Sequence, residues 1–272
     1  MPHHPGWRRR DLLPLGTGVG VAGVLTAAED GLGGPAGSGA ASERGPQGPV
    51  FVGDHGARGD GVTDDTAALQ AVIDDHAGRV IVFGGGTHLV SRLLLPSGSR
   101  LGLGTAVLRR TANTHSAAGG TTLRNADLET GNEDITVLGG AIEDGADATG
   151  RLLGFVNARR VDVRGTALRK GDSAFVDWMF LLEGCEDVHV SDVRITGGTE
   201  VGEDDLHIKA SSRVTVANCT IESGDDALAI VQEYQQRQAI CDIAVTNCVL
   251  SSRGAHMVRV SVVPQESRGT RT

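Results

Sequence analysis

From residue 123 onward the chain returns to one pattern: a short alternating strand, a polar turn, a second strand and a glycine. Asp134-Ile135-Thr136-Val137 leads to Gly145, Arg160-Val161-Asp162-Val163 to Gly171, and Asp187-Val188-His189-Val190 to Gly197. Arg213-Val214-Thr215-Val216 then leads to Gly224, and Asp242-Ile243-Ala244-Val245 to Gly254. Self-similarity at a spacing of about 20–50 residues marks a solenoid, in which each repeat buries its apolar face only against its neighbours. The apolar residues are largely β-branched and recur with period two, so each turn is built of strands. The 40 glycines let the chain turn this often without steric penalty. Asn-Gly steps, the strongest hairpin signal, are absent, which argues against a sandwich of hairpins. The sequence predicts an all-β parallel β-helix with rungs about 4.8 Å apart.

Two of the repeats carry acids just before a strand. Gly202-Glu203-Asp204-Asp205-Leu206-His207-Ile208 is echoed by Ser223-Gly224-Asp225-Asp226-Ala227-Leu228-Ala229-Ile230. Setting Leu206 and Ile208 on Leu228 and Ile230 places Asp204 over Asp226. A third copy, Ala255-His256-Met257-Val258-Arg259-Val260, brings His256 into the same column. On stacked rungs these groups share one surface, a candidate acid/base site with Asp225 beside it. Close carboxylates repel one another, so at least one of their pKa values is expected to rise. Matching Val188 and Val190 to Val214 and Val216 extends the register upstream and sets Trp178 over Asp204, where its ring has room to stack on a sugar. Phe180 and Leu182 take the inward positions. His207, Lys209, Arg237 and Arg259 are neighbouring polar or cationic groups, and Tyr234 follows the Asp-Asp strand in a loop that is able to close over a ligand.

Composition narrows the partners. A net charge of −9 argues against nucleic acid or an anionic membrane surface. It also gives no global attraction for a polyanion, so such a substrate needs local cations. Hydrophobic residues make up 39% of the chain, enough to fill the core of one elongated domain, expected over 46–263 with an unpatterned tail at 264–272. Only five Phe, two Trp and one Tyr are present, so a sugar site has few rings to use. No cofactor is expected, and the chain is expected to act as a monomer.

Residues 1–45 read as an export segment and linker. Trp7-Arg8-Arg9-Arg10-Asp11-Leu12-Leu13 is a basic head, followed by a mildly apolar run to Ala28. Gly16, Gly18, Gly20 and Gly23 make that run too weak for a membrane span. Paired Arg before two Leu resembles a twin-arginine export signal, so secretion is expected; a disordered basic tail is the alternative. Among the four cysteines, Cys219 and Cys248 occupy equivalent places in two Asn-Cys units. Stacked buried thiols are therefore expected instead of disulfides, with Asn218 and Asn247 forming an amide ladder. No Cys-x-x-Cys or His cluster points to zinc.

Near the start of the domain, Asp54-His55-Gly56-Ala57-Arg58-Gly59-Asp60-Gly61-Val62-Thr63-Asp64-Asp65-Thr66 precedes a short amphipathic helix with Leu69, Val72, Ile73 and His76 on one face. Such a helix can cover the open end of a solenoid, with Thr63 or Asp64 capping it. Asp60, Asp64 and Asp65 are read as capping and turn acids, not as a calcium loop. This block, with Arg79-Val80-Ile81-Val82-Phe83 and Gly86-Thr87-His88-Leu89-Val90, resembles the N-terminal cap and first coil of the pectate-lyase-like superfamily of right-handed β-helices. The series Asp204, Asp225-Asp226 and His256 resembles the catalytic motifs of the polygalacturonases, glycoside hydrolase family 28.

The resemblance covers residues 50 to 262 and implies a right-handed β-helix that cleaves the glycosidic bonds of a polysaccharide. It implies that Asp204 and Asp226 activate water, that Asp225 protonates the leaving oxygen, and that His256 supports the site. Inverting glycosidases separate acid and base by about 6.5–9.5 Å, a spacing that side chains on adjacent rungs can meet. The chain departs from the family pattern at three places. Gly202-Glu203 stands for Asn-Thr, Ala255 and Met257 flank His256 where the family has Gly, and the chain ends before an Arg-Ile-Lys coil. A truncated, inactive member is therefore one expectation. A calcium-dependent polysaccharide lyase and a non-catalytic carbohydrate-binding β-helix are the two rivals.

Overall fold

Every strand pairing among the described residues is parallel, and the partners come from successive repeats. The computed structural model describes residues 48–111, 120–145, 150–170, 178–198, 204–233 and 238–263. Residues 1–47, which include the expected export segment, and Gly171, Gly202, Glu203, Tyr234, Arg237 and the tail from 264 lie outside them. The result is a parallel β-solenoid of about seven turns, built from a 14-stranded and a 7-stranded sheet. In the larger sheet Ile135, Val161, Val188, Val214 and Ile243 stack in register. In the smaller sheet the rungs are Leu93–Leu95, Thr121–Asn125, Arg151–Val156, Phe180–Glu183, Leu206–Lys209, Leu228–Glu233 and Val258–Val263. They are numbered here one to seven.

The alternation read from sequence explains this stacking. Leu93, Leu123, Leu153, Phe180, Leu206 and Leu228 lie in one inward column, each fully buried. Phe155 and Phe180 pack edge-to-face with ring centroids 6.2 Å apart. On rung seven the inward set is bare: Val258, Val260 and Val262 are 45%, 71% and 73% exposed.

The turns repeat as faithfully as the strands. Asp134, Arg160, Asp187, Arg213 and Asp242 all hold left-handed backbone, with φ of 59°, 53°, 57°, 52° and 55°, where each repeat enters the larger sheet. Their charges alternate, so Arg160 donates to Asp134 at 2.7 Å and Arg213 to Asp187 at 2.6 Å. These pairs are exposed and screened, so they fix the turn more than they stabilise the fold. Asn218 and Asn247 form the amide ladder, Nδ2 to Oδ1 at 2.8 Å. The four cysteines are free, with Cys219 and Cys248 donating to the carbonyls of Ala217 and Thr246. Gly131 is demanded by close approach, because a Cβ there would lie 1.8 Å from the carbonyl oxygen of Asn157.

Among the described residues one α-helix, α1 (Thr66–Asp75), buries Leu69, Val72 and Ile73 and packs on rung one and on the short 3-10 turn Val52–His55. His76 lies just beyond it and packs its ring on His55, not on the buried face. The acids ahead of the helix divide their work differently from the capping reading. Asp60 closes its own turn onto the amides of Val62 and Thr63, and Asp64 accepts from the Thr66 amide. Asp65 makes no capping bond. It is buried and accepts from the amides of Arg58 and Gly59 and from His88 Nδ1 at 2.7 Å, which ties the loop to the sheet. Among the described residues no helix is long and apolar enough to cross a membrane.

Core stacking of this kind predicts a steep contrast along one column. Phe180→Ala should lower stability by about 3–5 kcal/mol, whereas Val260→Ala should change it by about 0.5 kcal/mol or less. Denaturant midpoints check this; equal shifts for the two variants would contradict the burial pattern.

Candidate active site

Three backbone bonds fix the column that carries the acids. The amide of Met179 donates to the carbonyl of Asp204, that of Asp205 to Asp226, and that of Ala227 to His256, at 3.1, 3.1 and 3.0 Å. Trp178, Asp204, Asp226 and His256 therefore stand two residues ahead of the first inward residue on rungs four to seven. Arg151 takes the same place on rung three, paired with Thr121. One carboxylate oxygen each from Asp204, Asp225 and Asp226 lies within 4.8 Å of the others. That closest approach is shorter than the window set out for two carboxyl groups with a water between them.

Each acid has a different environment. Asp204 is buried and its Oδ2 lies 2.8 Å from His207 Nδ1. Asp226 is buried too, and its Oδ1 accepts from the His256 amide at 3.0 Å and lies 2.9 Å from the His256 ring. Arg259 Nη1 reaches the other oxygen of Asp226 at 3.3 Å. Burial works against the charge of Asp226, but His256 and Arg259 outweigh it and hold the carboxyl below the usual carboxylate range. Asp225 is only half-buried, and its amide donates to Ser223 Oγ. Asp204 and Asp226 thus have separate imidazole partners and do not face one another as a bare pair. Those partners also compete with a cation for the three oxygens.

Trp178 does not present an open ring. His207 stacks on it with centroids 3.9 Å apart and planes 21° apart. The guanidinium of Arg151 lies 4.7 Å from the indole centroid and Lys209 Nζ lies 5.3 Å away, both within cation–π reach. Lys209 also pairs with Glu183 at 3.6 Å. Side-chain stacking between adjacent columns was not visible from one column's register. Tyr234 and Arg237 lie outside the described residues. A surface groove borders the site at His256, lined also by Leu250, Ser252, Ala255, Met257 and Val258.

The carboxyl pushed toward neutrality is Asp205, which the sequence reading passed over. On rungs two, three, four and six its column holds Thr122, Leu152, Met179 and Ala227, all buried, and Asp205 is itself fully buried and points inward. Neither of its oxygens meets a hydrogen-bond partner of full geometry. Burial pushes its pKa up to about 8; Ser223 opposes this and the charge of Asp204 adds to it. Gly197 makes room for it, because a Cβ there would fall 2.0 Å from Asp205 Oδ1. The only sequence signal was the second acid of Asp204-Asp205, at a place where rungs two, three, four and six hold uncharged residues.

A family model described as "Rhamnogalacturonase A/epimerase, pectate lyase-like" matches residues 50–259. Among curated proteins none matches. Several solved structures share the fold at low identity. The family 28 exopolygalacturonase of Yersinia enterocolitica is 15% identical, with a TM-score of 0.60 over 79% of this chain and 56% of its own. An iota-carrageenase complexed to iota-carrageenan fragments is 11% identical, with a TM-score of 0.58 over 75% of this chain and 50% of its own. The surface adhesin PfbA of Streptococcus pneumoniae is 18% identical, with a TM-score of 0.52 over 78% of this chain and 61% of its own. The chain thus spans little more than half the length of these three.

Asp205 gives the site a testable pH signature. Between its unfolded pKa of 3.8 and its folded pKa of about 8, the folded chain keeps a proton that the unfolded chain releases. Its contribution to stability is therefore greatest at low pH and is lost as pH rises through that window, by up to about 1.4 kcal/mol per pH unit. Asp205→Asn removes the penalty. Its melting temperature should exceed that of the parent chain by a margin that grows from pH 4 to pH 8. A margin independent of pH would contradict the buried, protonated state.

Proposed function

The chain belongs to the rhamnogalacturonase A/epimerase, pectate lyase-like family, and from that membership and its converging acids we propose that it is a glycoside hydrolase acting on a polysaccharide laid across the outer face of the smaller sheet. The observation that carries the reading is the meeting of three carboxyl groups from adjacent rungs, one of them held ionised by His256 and Arg259. In this reading Asp226 is the base that takes a proton from water, and Asp204, fixed by His207, orients that water. Asp225 is the acid that protonates the leaving oxygen, since it is the least buried of the three. His256 and Arg259 hold Asp226 in its charged form, while Trp178, His207 and Lys209 form one wall of the binding surface. Attack by water with no covalent intermediate inverts the anomeric centre; the oxygens' closest approach, within 4.8 Å, is short for that course and makes retention the outcome the product test must exclude. The solenoid winds right-handed, and α1 closes its N-terminal end by burying Leu69, Val72 and Ile73.

One observation favours a second reading, a carbohydrate-binding β-helix without catalysis. Asp204 and Asp226 are both engaged by neighbouring side chains, which suits a structural network as well as a reaction centre. The basic head at Arg8-Arg9-Arg10 and the apolar run behind it support export by the twin-arginine route.

Three experiments test these proposals. On a panel of polysaccharides, Asp225→Asn should lower the rate of reducing-end release by about 10²–10⁴-fold with unchanged circular dichroism. Activity within a few-fold of the parent chain would overturn the mechanism, and loss of activity with EDTA together with unsaturated products would indicate a lyase. Proton NMR of the first products should show the inverted anomer; a retained anomer would make one of the closely spaced acids a nucleophile. For export, replacing Arg8, Arg9 and Arg10 with Lys should block secretion, and unchanged secretion would refute the assignment.

A further inference from the structure

Thr166, Val193, Cys219 and Cys248 stack on successive coils at the corner between two strands of the larger sheet. The pairing on either side of the corner sets that column: Ser191 lies beside Ala217 and Ala217 beside Thr246, while Arg194 lies beside Thr220 and Thr220 beside Val249. Thr166, Val193 and Cys219 are buried and Cys248 is half-buried. Thr and Val fill the place on the earlier coils, so packing there does not require sulfur. Two consecutive coils nevertheless carry a thiol.

The two thiols share one geometry. Each follows an asparagine with left-handed backbone, φ 57° at Asn218 and 51° at Asn247, and the amide side chains are bonded at 2.8 Å. Cys219 Sγ lies 3.3 Å from the carbonyl oxygen of Ala217, and Cys248 Sγ lies 3.2 Å from that of Thr246. The Val249 amide donates to the Cys219 carbonyl at 2.9 Å, which fixes one coil on the other beside the sulfurs. Neighbouring strands about 4.8 Å apart bring such a pair within the Cα span of about 4.4–6.8 Å that a disulfide bridges. The sulfurs already act on one another, since burial together with Cys248 pushes the Cys219 thiol up to about 11. Cys185 lies buried at a different corner, where its amide accepts no sulfur neighbour but donates to Ser211 Oγ. Cys241 is exposed and opens the strand Cys241–Thr246, about 20 Å along extended chain from Cys248. The coil that carries Cys248 also carries His256 and Arg259, the partners of Asp226, and its inward valines are exposed.

We propose that Cys219 and Cys248 are a redox modification site, closing to a disulfide that clamps the coil of His256 and Arg259 onto the coil of Asp226. The co-reactant is a small-molecule disulfide such as oxidised glutathione. Cys248, as thiolate, attacks one of its sulfurs and expels one small thiol, leaving a mixed disulfide. Cys219 then gives its proton to solvent and attacks the Cys248 sulfur, which forms the protein disulfide and expels the second small thiol. Two protein thiols are oxidised and one small disulfide is reduced to two thiols. The high pKa of Cys219 leaves little thiolate at neutral pH, so the second step is slow and quickens as pH rises. The site stands independently of the hydrolase reading, and the proposed export route leads to compartments where disulfides persist.

The test incubates the full chain carrying Cys241→Ser with oxidised glutathione at about pH 8.5, against the same chain kept in dithiothreitol. Peptide mapping by mass spectrometry should find Cys219 joined to Cys248, lighter by two hydrogen atoms than the reduced pair. Val249 donates to the Cys219 carbonyl and His256 to Asp226 Oδ1, so their amides report the fit of one coil on the other. Exchange at both should slow by about ten-fold or more on oxidation and recover in dithiothreitol. Cys219→Ser in the same background should take up one glutathione at Cys248 without slowing exchange, and its melting temperature confirms that it folds. The inference is overturned if the parent reaction stops at a mixed disulfide on Cys248, if neither thiol reacts, or if the bond forms and exchange at Val249 and His256 is unchanged.

Discussion

The parallel register of the smaller sheet is the constraint on which the site depends. Because side chains alternate with period two, a slip of one residue on any rung would exchange its inward and outward sets. The buried column from Leu93 to Leu228 forbids that slip on the first six rungs, since each member is enclosed by the rungs on either side. Once Leu206 is locked over Leu228, Asp204 must stand over Asp226 and Asp205 over Ala227. The chemistry of the site is thus set by hydrophobic packing two residues away. Rung seven is held more weakly, with its inward valines exposed, and it carries His256 and Arg259, the partners of Asp226.

Register also divides one pair of adjacent acids into two opposite states. Asp204 faces the outer surface and finds an imidazole, while Asp205 faces inward, where burial outweighs the help of Ser223, Gly197 and the charge of Lys170. Asp226, one rung on, is kept ionised by His256 and Arg259 despite its burial. A protonated carboxyl beneath ionised ones limits the negative charge gathered in a small volume, where three or four like charges would repel strongly.

Much of this was legible in the sequence, and the limits have physical causes. The solenoid, the rung offsets, the Asn218–Asn247 ladder and the free thiols follow from equivalent residues stacking on equivalent residues, which a repeat displays directly. Asp205 was missed because the segment before a strand is a turn, where alternation does not announce which of two acids turns inward. Trp178 was set correctly over Asp204 but its stacking on His207 joins two columns, and a single-column alignment cannot show that contact. Asp65 was misread because a local capping rule fits any acid ahead of a helix, whereas its actual partner, His88, lies 23 residues away in sequence.

The most direct measurement of the register is a carbon-13 NMR titration of the aspartate carboxyl groups, assigned by single Asp→Asn variants. The account predicts that Asp205 titrates near pH 8 and that Asp226 titrates below the ordinary carboxylate range, because one points into the core and the other to the face shared with His256 and Arg259. Titration of both at ordinary carboxylate values, or an exchange of the two behaviours, would contradict the register from which the site is built.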